Sequence, residues 1–140
     1  MRERIINFKG VNNFLSNFYY SPLYYNGIRF STVEHAFQAA KSTDLKTQKL
    51  FAIIPTPQEA KQFGKTIPLR EDWETVKVSI MKDLLKQKFS KSPLRKMLIQ
   101  TNDSELVNGN TWGDTYWGVT NGEGQNILGN LLMEVRSELK

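Results

Sequence analysis

The chain has no cysteine and a single histidine, His35, in its 140 residues. The first absence removes thiol nucleophiles, cysteine-ligated zinc and iron–sulfur clusters together, and it favours a reducing compartment. The second excludes a multi-histidine metal site and leaves a histidine-based triad possible only through His35. Carboxylates, with lysine or tyrosine, are the acids and bases that remain. Long apolar runs are also missing. The opening "MRERIINFKG" holds neither a secretory signal nor a membrane span, which predicts a soluble cytoplasmic protein, or one made in a host cytoplasm. No repeat, low-complexity tract or linker interrupts the chain, so one domain over residues 1–140 is expected, long enough to bury a core without disulfides or metal.

Basic residues exceed acidic ones, 19 to 14, for a formal charge of +5. That balance suits phosphates, nucleotides or nucleic acid. The lysines are spread rather than clustered into an arm, so a merely solvated basic surface fits equally well.

Eight of the sixteen aromatic residues fall in the first thirty positions. Among them, β-favouring residues flank Asn26-Gly27, a strong two-residue turn signal, and predict a hairpin over 22–31. Helix punctuation follows. Ser31 with Glu34 fits a capping box, with Val33, Phe37 and Ala40 as an apolar stripe running through Lys41. "TPQEAKQFG" repeats the grammar, with Thr56 as cap, Pro57 in the first turn, Glu59 third and Gly64 as the stop. Residues 70–89 form the longest helix candidate. Two adjoining apolar stripes there, Trp73, Val76, Ile80, Leu84 and Val78, Met81, Leu85, Phe89, predict a widely buried spine. A shorter helix is expected from Ser92-Pro93 to about Gln100. Ile127, Leu128, Leu131, Leu132 and Val135 mark a closing one. The stretch 101–124 is polar, glycine-rich and irregular, yet it holds two tryptophans, which is more typical of a functional loop.

Three constellations could carry chemistry. Glu34, Gln38 and Lys41 are four and three residues apart and share one helical face. They could line a site, or Glu34 could only complete a cap and Lys41 only decorate a helix end. His35 points elsewhere and reads as a hydrogen-bonded structural residue. In "NTWGDTYWG", Trp112 and Trp117 bracket Asp114, placing flat stacking surfaces beside a carboxylate in a glycine-rich loop. The segment "NGEGQNILGN" runs into a helix whose first amides could bind phosphate, although it is neither a P-loop nor a dinucleotide fingerprint. Two carboxylates, an aromatic platform and amide or lysine donors suit hydrolysis of a glycosidic bond through an oxocarbenium-like transition state.

Taken together, "NFLSNFYYSPLYYNGIRFSTVEHAFQAAKS", "LREDWETVKVSIMKDLLKQKF", "LVNGNTWGDTYWG" and "GQNILGNLLMEVR" closely resemble the NADAR (NAD- and ADP-ribose-associated), or YbiA-like, family. The resemblance runs from about Phe8 to Arg136. It implies a mainly α fold with a few short β-strands in a single compact YbiA-like domain, and N-glycosidase activity. The implied substrates are ribosylaminopyrimidine phosphates of riboflavin biosynthesis, or ADP-ribosyl derivatives, including ADP-ribosylated guanine in nucleic acid. Residue by residue, it implies catalytic roles for Glu34, Asp114 and Trp117. Substrate contacts are implied at Asn17 and Phe18 of the early Ser-Asn-Phe signature, at Trp73, and at Lys41, Arg70 and Asn126 for phosphate or ribose. Trp112 stands with them as a substrate-facing ring. Trp117 or Trp73 would stack on the base. No metal or redox cofactor is implied. Asn108 departs from the pattern of many relatives, which carry glutamate there; if that carboxylate acts in them, this chain uses another group or prefers a different substrate. A non-catalytic ADP-ribose-binding module is the alternative of another class, separable by tight binding without turnover.

Overall fold

The computed structural model describes residues 3–139. In chain order its elements are β1 (Arg4–Ile5), a 3₁₀ helix (Gly10–Leu15), β2 (Leu23–Tyr25), β3 (Ile28–Phe30), α1 (Val33–Ala39), α2 (Leu45–Ala52), α3 (Pro57–Gly64), α4 (Trp73–Lys88), α5 (Leu94–Ile99), β4 (Glu105–Leu106) and α6 (Ile127–Glu138). This is the mainly helical architecture with short strands that the sequence predicts. The chain divides into two compact units, Asn17–Lys88 and Met1–Ser16 with Phe89–Lys140. The second boundary falls at the end of the longest helix, where no linker composition marks it.

In the unit Asn17–Lys88, the hairpin forms as expected. Asn26 and Gly27 both take positive φ, +52° and +77°, the backbone a type I′ turn demands, and Leu23 pairs with Phe30 across the strands. Gln87 of α4 docks the hairpin edge, its amide donating to the Tyr24 carbonyl at 2.8 Å and accepting from the Tyr24 amide at 2.6 Å. Helix α1 is buried on every side and packs against α2, α3 and α4.

Its cap differs from the expected one. Thr32, not Ser31, is the N-cap, its hydroxyl accepting from the His35 amide at 3.1 Å. Both residues are good caps, and the sequence cannot choose between neighbours; the structure shifts the helix by one and frees the Glu34 carboxylate from capping. Thr56, Pro57 and Glu59 do open α3 as expected. Gly64 is not its stop, however: it lies inside the last turn and Lys65, still right-handed, closes the helix.

The longest helix is Trp73–Lys88, three residues shorter at the front than expected. Its buried stripe is Trp73, Met81, Leu84, Leu85 and Lys88, while Val76 and Ile80 are half-exposed. The buried apolar positions come from both expected stripes, Trp73 and Leu84 from one and Met81 and Leu85 from the other, with Val78 half-exposed as well. Helix α2, capped by Asp44 on the Thr47 amide, was not expected, because its leucines Leu45 and Leu50 are exposed and give no helical stripe.

In the other unit, β1 and β4 pair in parallel, Arg4 with Glu105 and Ile5 with Leu106, and α6 packs against β4. The expected stripe of α6 buries Leu128, Leu131, Leu132 and Val135. Among the described residues, no helix is long and apolar enough to cross a membrane.

Candidate active site

Within Asn17–Lys88, the row expected on α1 forms. Glu34 and Gln38 are only 8 % and 6 % exposed. The Gln38 side-chain amide donates to Glu34 Oε2 at 2.7 Å, and the Glu34 backbone amide donates to the Asn17 carbonyl at 3.1 Å. Lys41 lies half-buried just past the helix. Burial pushes its amine below the ordinary lysine range, while the Glu34 charge pulls the other way and Lys65 and Lys61 add repulsion. A carboxylate, an amide donor and an amine whose proton is loosened thus share one wall. A buried carboxylate of this kind is costly unless hydrogen-bonded, and one that serves only a surface helix would have stayed in water.

Arg70 is tied to the end of α1. Its backbone amide donates to the Lys41 carbonyl at 2.7 Å, and its guanidinium forms a two-point ion pair with Asp72 at 2.6 and 3.2 Å. Its Nη1 lies 3.5 Å from the Ala40 carbonyl, and its side chain is 19 % exposed. His35 takes the structural role expected of it. Nε2–H donates to the Ile54 carbonyl at 2.9 Å, which leaves Nδ1 to accept from the Thr32 hydroxyl at 2.8 Å. Burial accordingly lowers its pKa and favours the neutral ring.

The other residues of this unit are placed differently from one another. Asn17 turns inward, its amide nitrogen 3.6 Å from Met81 Sδ and its Oδ1 enclosed without a partner. Trp73 is 5 % exposed, its ring 5.0 Å from that of Phe37, so core packing takes most of its surface. Phe18 is exposed at 37 %.

In the other unit, residues 108–126 form an ordered loop fixed by side-chain-to-backbone bonds. Asp114 Oδ1 accepts from the amides of Tyr116 at 3.2 Å and Trp117 at 3.0 Å. The loop's hub is Asn110, a residue the sequence reading missed. Its buried Oδ1 accepts from the amides of Trp112 and Asp114 and from the Thr120 hydroxyl, and its Nδ2 donates to the Asp114 carbonyl. One asparagine among several in a polar stretch carries no signal that could have singled it out. The loop presents Trp112 to solvent, while Trp117 is half-buried with its ring edge-on to Tyr116, 5.0 Å between centroids.

Asn126 has both ends of its amide committed to backbone: Oδ1 accepts from the Asn108 amide at 2.8 Å and Nδ2 donates to the Leu106 carbonyl at 2.9 Å. The first amides of α6 are likewise used, Ile127 donating to the Tyr116 carbonyl and Leu128 to that of Trp117. The glycine-rich segment before α6 therefore anchors the tryptophan loop instead of offering free amides to phosphate. Asn108 donates from Nδ2 to the Trp117 carbonyl at 3.3 Å, a bond a carboxylate could not make.

Comparison with known proteins agrees with this fold. N-glycosidase YbiA of Escherichia coli is 38 % identical over an alignment covering 99 % of this chain and 91 % of that protein. An N-glycosidase of Nostoc punctiforme is 36 % identical over 89 % of this chain and 84 % of its own. The chloroplastic riboflavin biosynthesis protein PYRR of Zea mays is 38 % identical over 81 % of this chain, which corresponds to 21 % of that longer protein. The NMR structure of Escherichia coli YbiA superposes with a TM-score of 0.85, covering 99 % of this chain and 86 % of that one. The NADAR domain model matches residues 7–140. On motifs, fold and these matches together, the chain belongs to the NADAR domain family.

Proposed function

We propose that the protein is an N-glycosidase that hydrolyses the bond between a phosphorylated ribosyl group and a nitrogen base. The observation that carries this reading is the buried Glu34 carboxylate, held by Gln38 and facing the charge of Lys41. The N-glycosidases among its relatives support the reaction class, and the relatives named for riboflavin biosynthesis favour ribosylaminopyrimidine phosphates as the substrate.

In the reaction, the carbon–nitrogen bond breaks and its electron pair leaves with the base. The ribosyl carbon becomes cationic, the oxygen of water adds to it, and a proton of that water ends on the departing nitrogen. Glu34, as the ionised carboxylate, stabilises the cation or accepts the water proton on its way. Lys41 and Arg70 are assigned to the phosphate, for which point charge and a guanidinium fork are both suited. Of the residues in the other unit, the family resemblance assigns Trp117 to stacking on the base and Asp114 to a carboxylate role, expectations that Trp117→Ala and Asp114→Asn check by turnover.

The test is mass-spectrometric product analysis after incubation with a ribosylaminopyrimidine phosphate, an oligonucleotide carrying ADP-ribosyl-guanine, NAD and free ADP-ribose. Release of free base and ribose phosphate from the first, abolished by Glu34→Gln, is the expected result. Faster release from the oligonucleotide by orders of magnitude would transfer the activity to modified nucleic acid. Binding without turnover of any member would replace the enzyme by a binding module.

A further inference from the structure

Gln38 carries an unresolved debt in its own hydrogen bonding. Its Nε2 donates to Glu34, but its Oε1 is buried without any hydrogen-bond partner. A methionine or leucine of similar volume would fill the same space without leaving an orphaned acceptor, which makes the amide costly as mere packing. The structure orients the amide with Nε2 toward the carboxylate. Rotating the amide by half a turn would set Oε1 against Glu34 Oε2 at 2.7 Å, two acceptors with no proton between them whenever the carboxylate is ionised.

The space for Oε1 comes from the neighbouring helix. Gly64, in the last turn of α3, has an ordinary helical backbone and no turn that calls for glycine. A methyl group on it would clash with Gln38 Oε1 and stand 2.8 Å from Gln38 Cδ. The missing side chain at Gly64 is thus the socket in which the Gln38 amide sits.

We propose that Gln38 is a positioning residue that holds the Glu34 carboxylate ionised and in one rotamer, and that Gly64 exists to seat the Gln38 amide. This rests on the assignment of Glu34 to the glycosidase reaction. It adds a direction to that assignment: the donor on Oε2 favours the charged form, so Glu34 works as cation stabiliser or base and not as the acid that protonates the leaving group.

A double-mutant cycle of Gln38→Ala and Gly64→Ala tests it, read by kcat, KM and the pH profile of kcat/KM on the hydrolysed substrate. Each single variant is expected to lower kcat by about 10²-fold, the scale of a misplacement near 1 Å, with KM changed by less than about threefold. The acid limb of the profile moves to higher pH in both. In the Gln38→Ala background, Gly64→Ala costs nothing further, because the group it would displace is gone. Independent losses from the two variants, or an unmoved acid limb, overturn the proposal.

A second readout does not depend on turnover. Carbon-13 NMR titration of the Glu34 carboxyl, in wild type and in Gln38→Ala, is expected to give a higher midpoint in the variant. An equal midpoint overturns the proposal even if the enzyme is active. A shifted midpoint in a protein that hydrolyses nothing would uphold the positioning and remove the glycosidase reading alone.

Discussion

Lys88, near the carboxyl end of α4, is 4 % exposed, and burial pushes its amine down to about 7. The Tyr19 ring, 5.6 Å from Nζ, and the helix C-terminus both favour the cation, by about 1 kcal/mol each, which is too little to offset the loss of water. In the unfolded chain the amine has its ordinary value of 10.5. Between those two values the unfolded state binds the extra proton, so stability rises with pH across the window. Below about pH 7 both states are charged and the cost of burying the ammonium is present in full. The whole span corresponds to about 5 kcal/mol, and the stretch from pH 7 to 9.5 to about 3 kcal/mol, at about 1.4 kcal/mol per pH unit. Lys88→Met keeps the stem and removes the titration. Urea denaturation of both proteins at half-unit steps from pH 7 to 9.5 gives the comparison. The wild-type midpoint is expected to climb relative to the variant by about 1–3 M. A difference between the two that stays flat with pH would refute the reasoning and place the charge of Lys88 in contact with water or a counter-charge.

Further outcomes are expected elsewhere. Asp114→Asn keeps the oxygen that accepts from Tyr116 and Trp117, so its thermal midpoint should match wild type while turnover falls; Asp114→Ala should instead lose about 1–3 kcal/mol in urea titration. Glu34→Gln should likewise fold, seen by circular dichroism, and lose most activity. His35 is held neutral, so the folded state loses stability as pH drops below 6.5 toward the lowered folded value; that slope should vanish in His35→Gln when denaturation is followed between pH 5 and 7. Gly129→Ala drives a methyl group into the Leu106 carbonyl and the Asn126 amide, and should cost about 1–3 kcal/mol, with loss of order in the tryptophan loop visible in Trp117 fluorescence.

Local signals were readable where one residue type meets one backbone demand. Asn26-Gly27 supplies two positive φ values and so announces the hairpin, and Thr56-Pro57 with Glu59 announces α3. Ambiguity entered where neighbours compete for one job. Ser31 and Thr32 are both able caps, and a shift of one residue decided whether Glu34 was a capping group or a free carboxylate. Helix α2 left no apolar stripe to read, although Asp44 and Thr47 did offer a cap.

The sequence by itself determined the mainly helical composition, the family and the side-chain row Glu34, Gln38, Lys41, because periodicity and motif order are local properties of the chain. Only the tertiary structure decided what those residues meet. Gly64 reads as a helix stop in one dimension, and becomes the socket of Gln38 once α3 lies on α1. Asn126 reads as a candidate for phosphate or ribose contact, and the structure adds that its amide clamps the backbone of β4 and the segment after it. Lys88 carries no local signal of burial, and is a buried amine in the structure. These three surroundings are set by residues distant in sequence, and no local pattern encodes them.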